Sequence, residues 1–312
     1  MNIEFALTSL PDASMRLRKL ARWLTETEPD QAIDSLDTNL RATRESAVAR
    51  QFALTFVHLL LHIRPRPPLP GGPLPLPDRQ WLLPDLSIAQ LIGAATSRED
   101  RFLSSLLRDA FAPPLPTDGR PLPLHPTLEK VPLGTRRERA RQGNRAYLQG
   151  LLLDTTPSVV ELLGANPRLL EAGAVQIASL RPTHPLALEA ILLSQRWLAH
   201  EGVCEAVLRN QAISPWLSRA LLPLAPRRVQ VALPHLAWLE ASLRMEIAGW
   251  LGVPLPEKGE LERIERVQSQ RVYPKVSKAE DVPIHQVDLA DLDLADLDFA
   301  DPPRELGANP EF

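Results

Sequence analysis

Few residues in this 312-residue chain stand in patterns that could do chemistry. His58 and His62 are four apart, which puts both imidazoles on one face of a helix where they could share a metal ion. The zinc-protease pattern needs a glutamate directly after the first histidine as base, and Leu59 stands there instead. No acidic ligand lies nearby in sequence, so the pair reads as a helix face, and no metal or cofactor is predicted. Cys204 could act as a nucleophile only beside a positioned base, and His200 is the one local candidate. Its apolar surroundings make it a core residue. The chain carries no G-x-S-x-G, no G-x-x-x-x-G-K and no G-x-G-x-x-G. No catalytic residue is predicted, and the chain reads as a non-enzyme.

The charged residues are more suggestive. Arg136, Arg137, Arg139, Arg141 and Arg145 form a basic run that is either a solvated helix face or a patch for an anionic partner. Residues 272–312 hold ten acids and three bases, a sum of −7, which leaves 32 bases and 28 acids, or +4, for residues 1–271. Within that acidic tail Leu289-Ala290-Asp291, Leu294-Ala295-Asp296 and Phe299-Ala300-Asp301 repeat every five residues, and Leu292 and Leu297 add a second apolar register. A-D-L-x-x is the pattern of pentapeptide-repeat proteins, but so few copies cannot stack into a stable coil. The tail is either a simple solubilising segment or, the preferred reading, a disordered acidic and hydrophobic motif that docks on a basic protein partner through Leu289, Asp291, Leu292, Leu294, Asp296, Leu297, Phe299 and Asp301.

The elements that must position these residues follow from composition and spacing. Hydrophobic residues make up 44% and charged residues 23%, enough for a core, while 32 prolines against 14 glycines argue against a large sheet. An all-α protein of short helices is expected. A single cysteine excludes an internal disulfide framework and fits a reducing compartment. Met1 to Leu10 lacks the basic cluster of a secretory signal, and the apolar stretch Phe52 to Ile63 is too short to span a membrane. A soluble, cytoplasmic protein is expected.

Along the chain, residues 1–64 read as an N-terminal helical region. Leu17, Leu20, Ala21 and Leu24 form one stripe of a first helix, a second spans Pro29 to Leu40, and a third, Ser46 to Ile63, is apolar on most faces and should be the most buried. Residues 65–79 form a proline-rich connector with PxxP spacings at Pro65/Pro68 and Pro70/Pro73, better read as a spacer than as a groove ligand. A helical pair over 80–112 comprises Leu86 to Ala95 and a helix opened by a Ser97/Asp100 capping box. A second proline-rich connector covers 113–134, helical repeats 135–256, and a charged helix with the acidic tail 257–312.

The repeats are read from prolines. Thr156-Pro157, His184-Pro185 and Ser214-Pro215 put a proline after a polar residue at intervals of 28 and 30, and proline is favoured at the first position of a helix. Thr and Ser are strong N-caps and His a weaker one. Leu163, Ile191 and Leu221 recur six residues after each proline, and Val175, Ala178 and Leu180 return as Val203, Ala206 and Leu208 at an offset of 28. Together with Asn166-Pro167, Arg181-Pro182 and Asn210 before Ser214-Pro215, these residues make the chain resemble the HEAT-like helical-repeat proteins, in particular degenerate bacterial versions. The resemblance covers 155–240 clearly and 135–256 with flanking caps, and departs where Pro223, Pro226 and Pro234 interrupt the third unit.

The resemblance implies an irregular α-solenoid and protein binding, with no catalytic residues to carry over. The function expected is a non-catalytic intracellular adaptor or scaffold that binds partner proteins through its helical surface and acidic tail. The alternative is a regulatory nucleic-acid binder using Arg136 to Arg145; the pI of about 6.2 and the lack of interleaved aromatics argue against it.

Overall fold

Local sequence chemistry sets about half of the helix starts. A computed structural model of the chain describes residues 3–66, 82–112, 124–142, 145–236 and 238–255. Among these residues the fold is all-α, with seventeen α-helices and no strand. After the short α1 (Ile3–Thr8), α2 (Ala13–Glu26) opens at Asp12, whose Oδ1 accepts from the backbone N–H groups of Ser14 (2.6 Å) and Met15 (3.1 Å). A hydrogen bond from the Ser14 hydroxyl, and after it those two backbone bonds, hold the Asp12 carboxyl below its ordinary pKa. α3 (Pro29–Arg41) starts with proline at its first turn, and α4 (Ala47–Ile63) starts at Ser46, whose Oγ accepts from Ala49 N at 3.3 Å.

Helix α4 is the buried axis of the N-terminal region, as its composition predicts. Twelve of its residues are buried, among them Phe52, Phe56, Leu59, Leu60, Leu61 and Ile63. Each such side chain contributes about 1.5–3 kcal/mol on leaving water, and α1, α2 and α3 supply the surfaces that cover them.

The next two helices, α5 (Asp85–Ser97) and α6 (Arg101–Phe111), pack on each other, and α5 also packs on α3. The expected Ser97/Asp100 capping box does not form. Ser97 closes α5, Glu99 turns the chain with φ 56°, and Asp100 alone caps α6 by accepting from Leu103 N at 3.0 Å. The second proline-rich stretch holds a turn of helix, α7 (Pro126–Glu129), where His125 Nδ1 accepts from Thr127 N. The basic run then occupies two helices, α8 (Leu133–Gln142) and α9 (Arg145–Leu151).

The three predicted proline starts all hold: α10 (Pro157–Ala165), α12 (Pro185–Leu192) and α15 (Pro215–Leu221) each begin on the named proline. The caps rank opposite to expectation. His184 Nδ1 accepts from Leu186 N at 3.1 Å, whereas the Thr156 and Ser214 side chains make no capping bond. The Thr156 hydroxyl is instead taken by Arg136 at 3.0 Å.

Leu163, Ile191 and Leu221, six residues after each proline, are all buried. The second-helix register is shifted by two residues. The buried positions of α11 (Glu171–Ser179) are Gly173, Ala174, Ile177 and Ala178, and those of α14 (Glu201–Leu208) are Val203, Cys204, Val207 and Leu208, an offset of 30. The cause is the short α13 (Gln195–Leu198), which lengthens the path from proline to second helix from 14 to 16 residues. Helices related by these intervals lie side by side, α10 on α12 and α11 on α14, and α8 also packs on α10.

The third unit breaks at its prolines as expected. Two 3-10 turns, Leu222–Leu224 and Leu233–His235, flank α16 (Arg227–Ala232), and α17 (Ala241–Leu251) follows. Helix α15 packs on α6, and α4 packs on α12, α13 and the Leu222–Leu224 turn, so the N-terminal helices cover one side of the repeats. The described residues belong to one compact unit. Residues 257–312, with the predicted charged helix and tail motif, lie outside the described residues, as do 67–81 and 113–123 of the connectors.

Candidate functional site

Arg136, first of the basic run, is not on the surface. Its Nη1 lies 2.6 Å from Asp154 Oδ2 and 3.0 Å from Thr156 Oγ1, and its Nε donates to Val131 O at 3.2 Å. Both side chains of the ion pair are buried, so this arginine fixes the rotation of α8. With Arg136 and Ala140 inward, a turn of 3.6 residues sends Arg137 and Arg141 to one flank, Arg139 to the other, and Glu138 outward between them. Arg139 rests over the Tyr147 ring with its Cζ 5.2 Å from the centroid, and Arg141 lies 3.8 Å from Glu138. Arg145 opens α9 and is exposed. A shallow depression between the two helices, lined by Gly134, Thr135, Glu138, Arg139, Gln142 and Tyr147, carries both signs of charge.

The edge that continues from α8 carries arginines that are distant in sequence. Asn166, buried after α10, donates from Nδ2 to Ala140 O (2.7 Å) and Arg141 O (3.4 Å) and accepts from Arg168 N at 2.9 Å. Arg196, in α13, donates from Nη1 to Pro167 O at 3.2 Å, and its Cζ lies 4.2 Å from the Trp197 ring centroid. Arg141 in the last turn of α8, Arg168 in the connection after α10 and Arg196 in α13 are exposed, and Arg16 of α2 donates from Nη2 to Gln195 Oε1 at 2.9 Å. Leu170, 60% exposed, adjoins Arg168 in the same turn. Arg168 and Arg196 stand 28 residues apart, the interval of Pro157 and Pro185, and that shared interval was the signal in the sequence that could have found them.

A second polar cluster lies where α4 meets the repeats. His58 Nε2 donates to Leu193 O at 2.9 Å, His62 Nδ1 donates to His58 O at 2.9 Å, and the rings meet edge to face with centroids 4.3 Å apart. Burial lowers the pKa of His58 to about 4 and that of His62 in the same direction. Arg64 forms a buried ion pair with Glu189 and lies over the Trp216 ring at 4.7 Å, while Trp216 Nε1 donates to Glu189 Oε1 at 3.3 Å. Burial pushes the Glu189 carboxyl up, against the pull of Arg64 and Arg66.

Other N-terminal side chains also meet carbonyls at the ends of repeat helices. Thr43 Oγ1 donates to Pro223 O at 2.6 Å, Arg50 to Leu224 O at 3.4 Å and Arg41 to Trp250 O at 3.1 Å. The histidine pair therefore belongs to a packing joint, and among the described residues no group of three or more His, Cys, Asp or Glu could hold a metal ion. Cys204 is buried as predicted, donates to Leu198 O at 3.1 Å, and burial raises its pKa to about 12. His200 turns away from it, its Nδ1 3.3 Å from Glu171 Oε1. The predicted tail contacts, Leu289 to Asp301, lie outside the described residues. Among the described residues no single helix is long and apolar enough to cross a membrane. No family model matches this chain, and neither a curated protein nor a solved structure matches it.

Proposed function

We propose that the protein is a non-catalytic adaptor that binds partner proteins through the exposed turn edge of its helical repeats and through the acidic segment Leu289 to Asp301. The carrying observation is the recurrence of helix pairs at intervals of 28 and 30, with α10 beside α12 and α11 beside α14. Units of this kind bury their apolar faces only against one another and leave the turns and outer faces for recognition. The side covered by α4 is filled by the chain itself, so the partner surface is the edge bearing Arg141, Arg168 and Arg196. The side chains best suited to chemistry, His58, His62 and Cys204, are engaged in packing bonds, which fits a binding role.

Affinity purification from the native cell tests this reading, with the full chain and a chain lacking 286–303 as baits. A partner set that depends on the segment supports the docking role of the tail. An unchanged set removes that role, and the absence of any captured protein removes the adaptor reading. A salt titration against DNA and RNA addresses the nucleic-acid alternative, because phosphate contacts give steeply salt-dependent binding. The adaptor is expected to bind neither at physiological salt.

A further inference from the structure

We infer that the joint between α4 and the repeats binds a small oxyanion that keeps a proton, hydrogen phosphate or bicarbonate, between Arg64, Arg66 and Glu189. Among the described residues eleven buried side-chain polar atoms lack a hydrogen-bond partner, and five of them belong to this joint: Arg64 Nε, Arg66 Nε and Nη1, Glu189 Oε2 and His58 Nδ1. Such atoms are rare in folded chains, because each has given up its bonds to water for nothing. Arg64 and Glu189 meet through one nitrogen and one oxygen only, Nη1 on Oε1, and Trp216 Nε1 donates to that same oxygen at 3.3 Å. Arg64 Nε and Glu189 Oε2 are therefore idle on side chains that are 9% and 2% exposed. Arg66 follows α4 outside any helix, yet its guanidinium turns inward, and its one hydrogen bond runs from Nη2 to Leu61 O at 2.7 Å.

The idle atoms define the ligand. Arg64 Nε and Arg66 Nε and Nη1 can only donate, and guanidinium groups near one another suit an oxyanion that accepts from both. Glu161 and Glu189 pull on Arg66, and Arg16 acts on His58, so three guanidiniums stand against two carboxylates while both histidines are neutral. Glu189 Oε2 accepts, and so does His58 Nδ1, because His58 Nε2 donates to Leu193 O just after α12. An anion without a proton would leave these acceptors idle and would meet Glu189 as a like charge. An oxyanion with one O–H gives its bare oxygens to the arginines and its hydrogen to Glu189. The idle atoms are closed from solvent, and Arg66 is the way in, since it is half-buried beside His62 and one bond holds its guanidinium. The anion enters as the bond to Leu61 O gives way, and the arginine closes over it.

The test is isothermal titration calorimetry on the full-length protein at about pH 7.5, with phosphate and bicarbonate as ligands and sulfate and nitrate as counterparts of like shape without a proton. Phosphate or bicarbonate is expected to bind at least about tenfold tighter than its own counterpart, because a buried acceptor left unpaired penalises the wrong anion. Which of the two binds identifies the oxyanion. Arg66→Gln is expected to lose at least about tenfold of that binding. Glu189→Gln puts an amide that also donates in place of the carboxylate, so the preference over sulfate or nitrate should fall below about threefold. Thermal unfolding checks the fold of both variants. Should Glu189→Gln fail to fold, the four anions on the unaltered chain and Arg66→Gln, which lies outside any helix, decide the matter.

Binding of neither phosphate nor bicarbonate overturns the inference, and so does sulfate or nitrate that binds as tightly as its counterpart. Unchanged affinity in Arg66→Gln, or an unchanged preference in folded Glu189→Gln, overturns it as well. The adaptor reading stands apart from this site, because partner capture tests it whatever the anions do.

Discussion

Arg136 and Asp154, 18 residues apart, meet as a buried ion pair at 2.6 Å and set which arginines of the basic run face solvent. Asp154 also accepts from Thr156 N at 2.9 Å, so the same carboxylate anchors the start of α10. Arg136→Gln leaves that carboxylate buried without its cation, which typically costs about 3–5 kcal/mol. The expected result is a lower denaturant midpoint with little change in slope. A loss below about 1 kcal/mol would show that the pair does not hold α8.

The polar ties between units should carry comparable weight per bond. Asn210 donates to Ala178 O (2.8 Å) and Leu180 O (3.0 Å), as Asn166 does to the end of α8, and both side chains are buried. Asn210→Ala or Asn166→Ala strands carbonyls at a helix end and should destabilise the fold by about 1–3 kcal/mol. The sites share no direct bond, so the double variant should lose about the sum of the two. Urea unfolding of both single variants and the double measures this, and a neutral Asn210→Ala would sink the account of how α11 is tied to the turn after α14.

The proline helix starts could be read from the sequence because proline acts within one turn, whereas the caps rank opposite to expectation. Pro157, Pro185 and Pro215 fix φ and give up an N–H that has no partner at a helix start, wherever the helix then packs. The arginines could not be sorted in the same way. Arg136 and Arg137 look alike in sequence, and only the rotation of α8 toward Asp154 and Thr156 sends one inside and the other to a flank. The slip in register between α11 and α14 has a similar origin, since no pattern in residues 193–200 announces the extra turn α13. Arg168 and Arg196 share the 28-residue interval of the prolines, but the placement of Arg141 near them depends on helix contacts that local patterns do not encode.

Close approach of α10 and α12 rests on Gly164. A Cβ there would stand 3.3 Å from the Ile191 backbone oxygen and 3.2 Å from its Cδ1, while Trp197 Nε1 donates to Gly164 O at 2.8 Å. Alanine gains about 1 kcal/mol in helix propensity, but overpacking typically costs about 1–3 kcal/mol, and a backbone carbonyl cannot rotate away. Gly164→Ala should therefore be a net loss, read as a lower melting temperature. A higher one would mean that the two helices separate freely.

The joint between α4 and the repeats should fail in acid before the rest of the core. His58 is neutral in the fold, with a pKa near 4 against an ordinary 6.5. Between those values the unfolded chain binds a proton that the folded one refuses, so stability is fully present above about pH 6.5 and falls as pH drops toward 4. The loss approaches about 3 kcal/mol at 1.36 kcal/mol per pKa unit. His62 acts in the same direction, and the positive charges of Arg16 and Arg66 add to it. Buried Glu189, whose pKa is raised, opposes it by favouring the fold as pH falls. His58→Gln isolates the histidine, because its amide can still donate to Leu193 O but cannot titrate. Urea unfolding of both proteins from pH 7.5 to 4 should show the unaltered chain losing about 2–3 kcal/mol more than the variant. Parallel curves would mean that His58 takes up its proton in the fold without opening the joint.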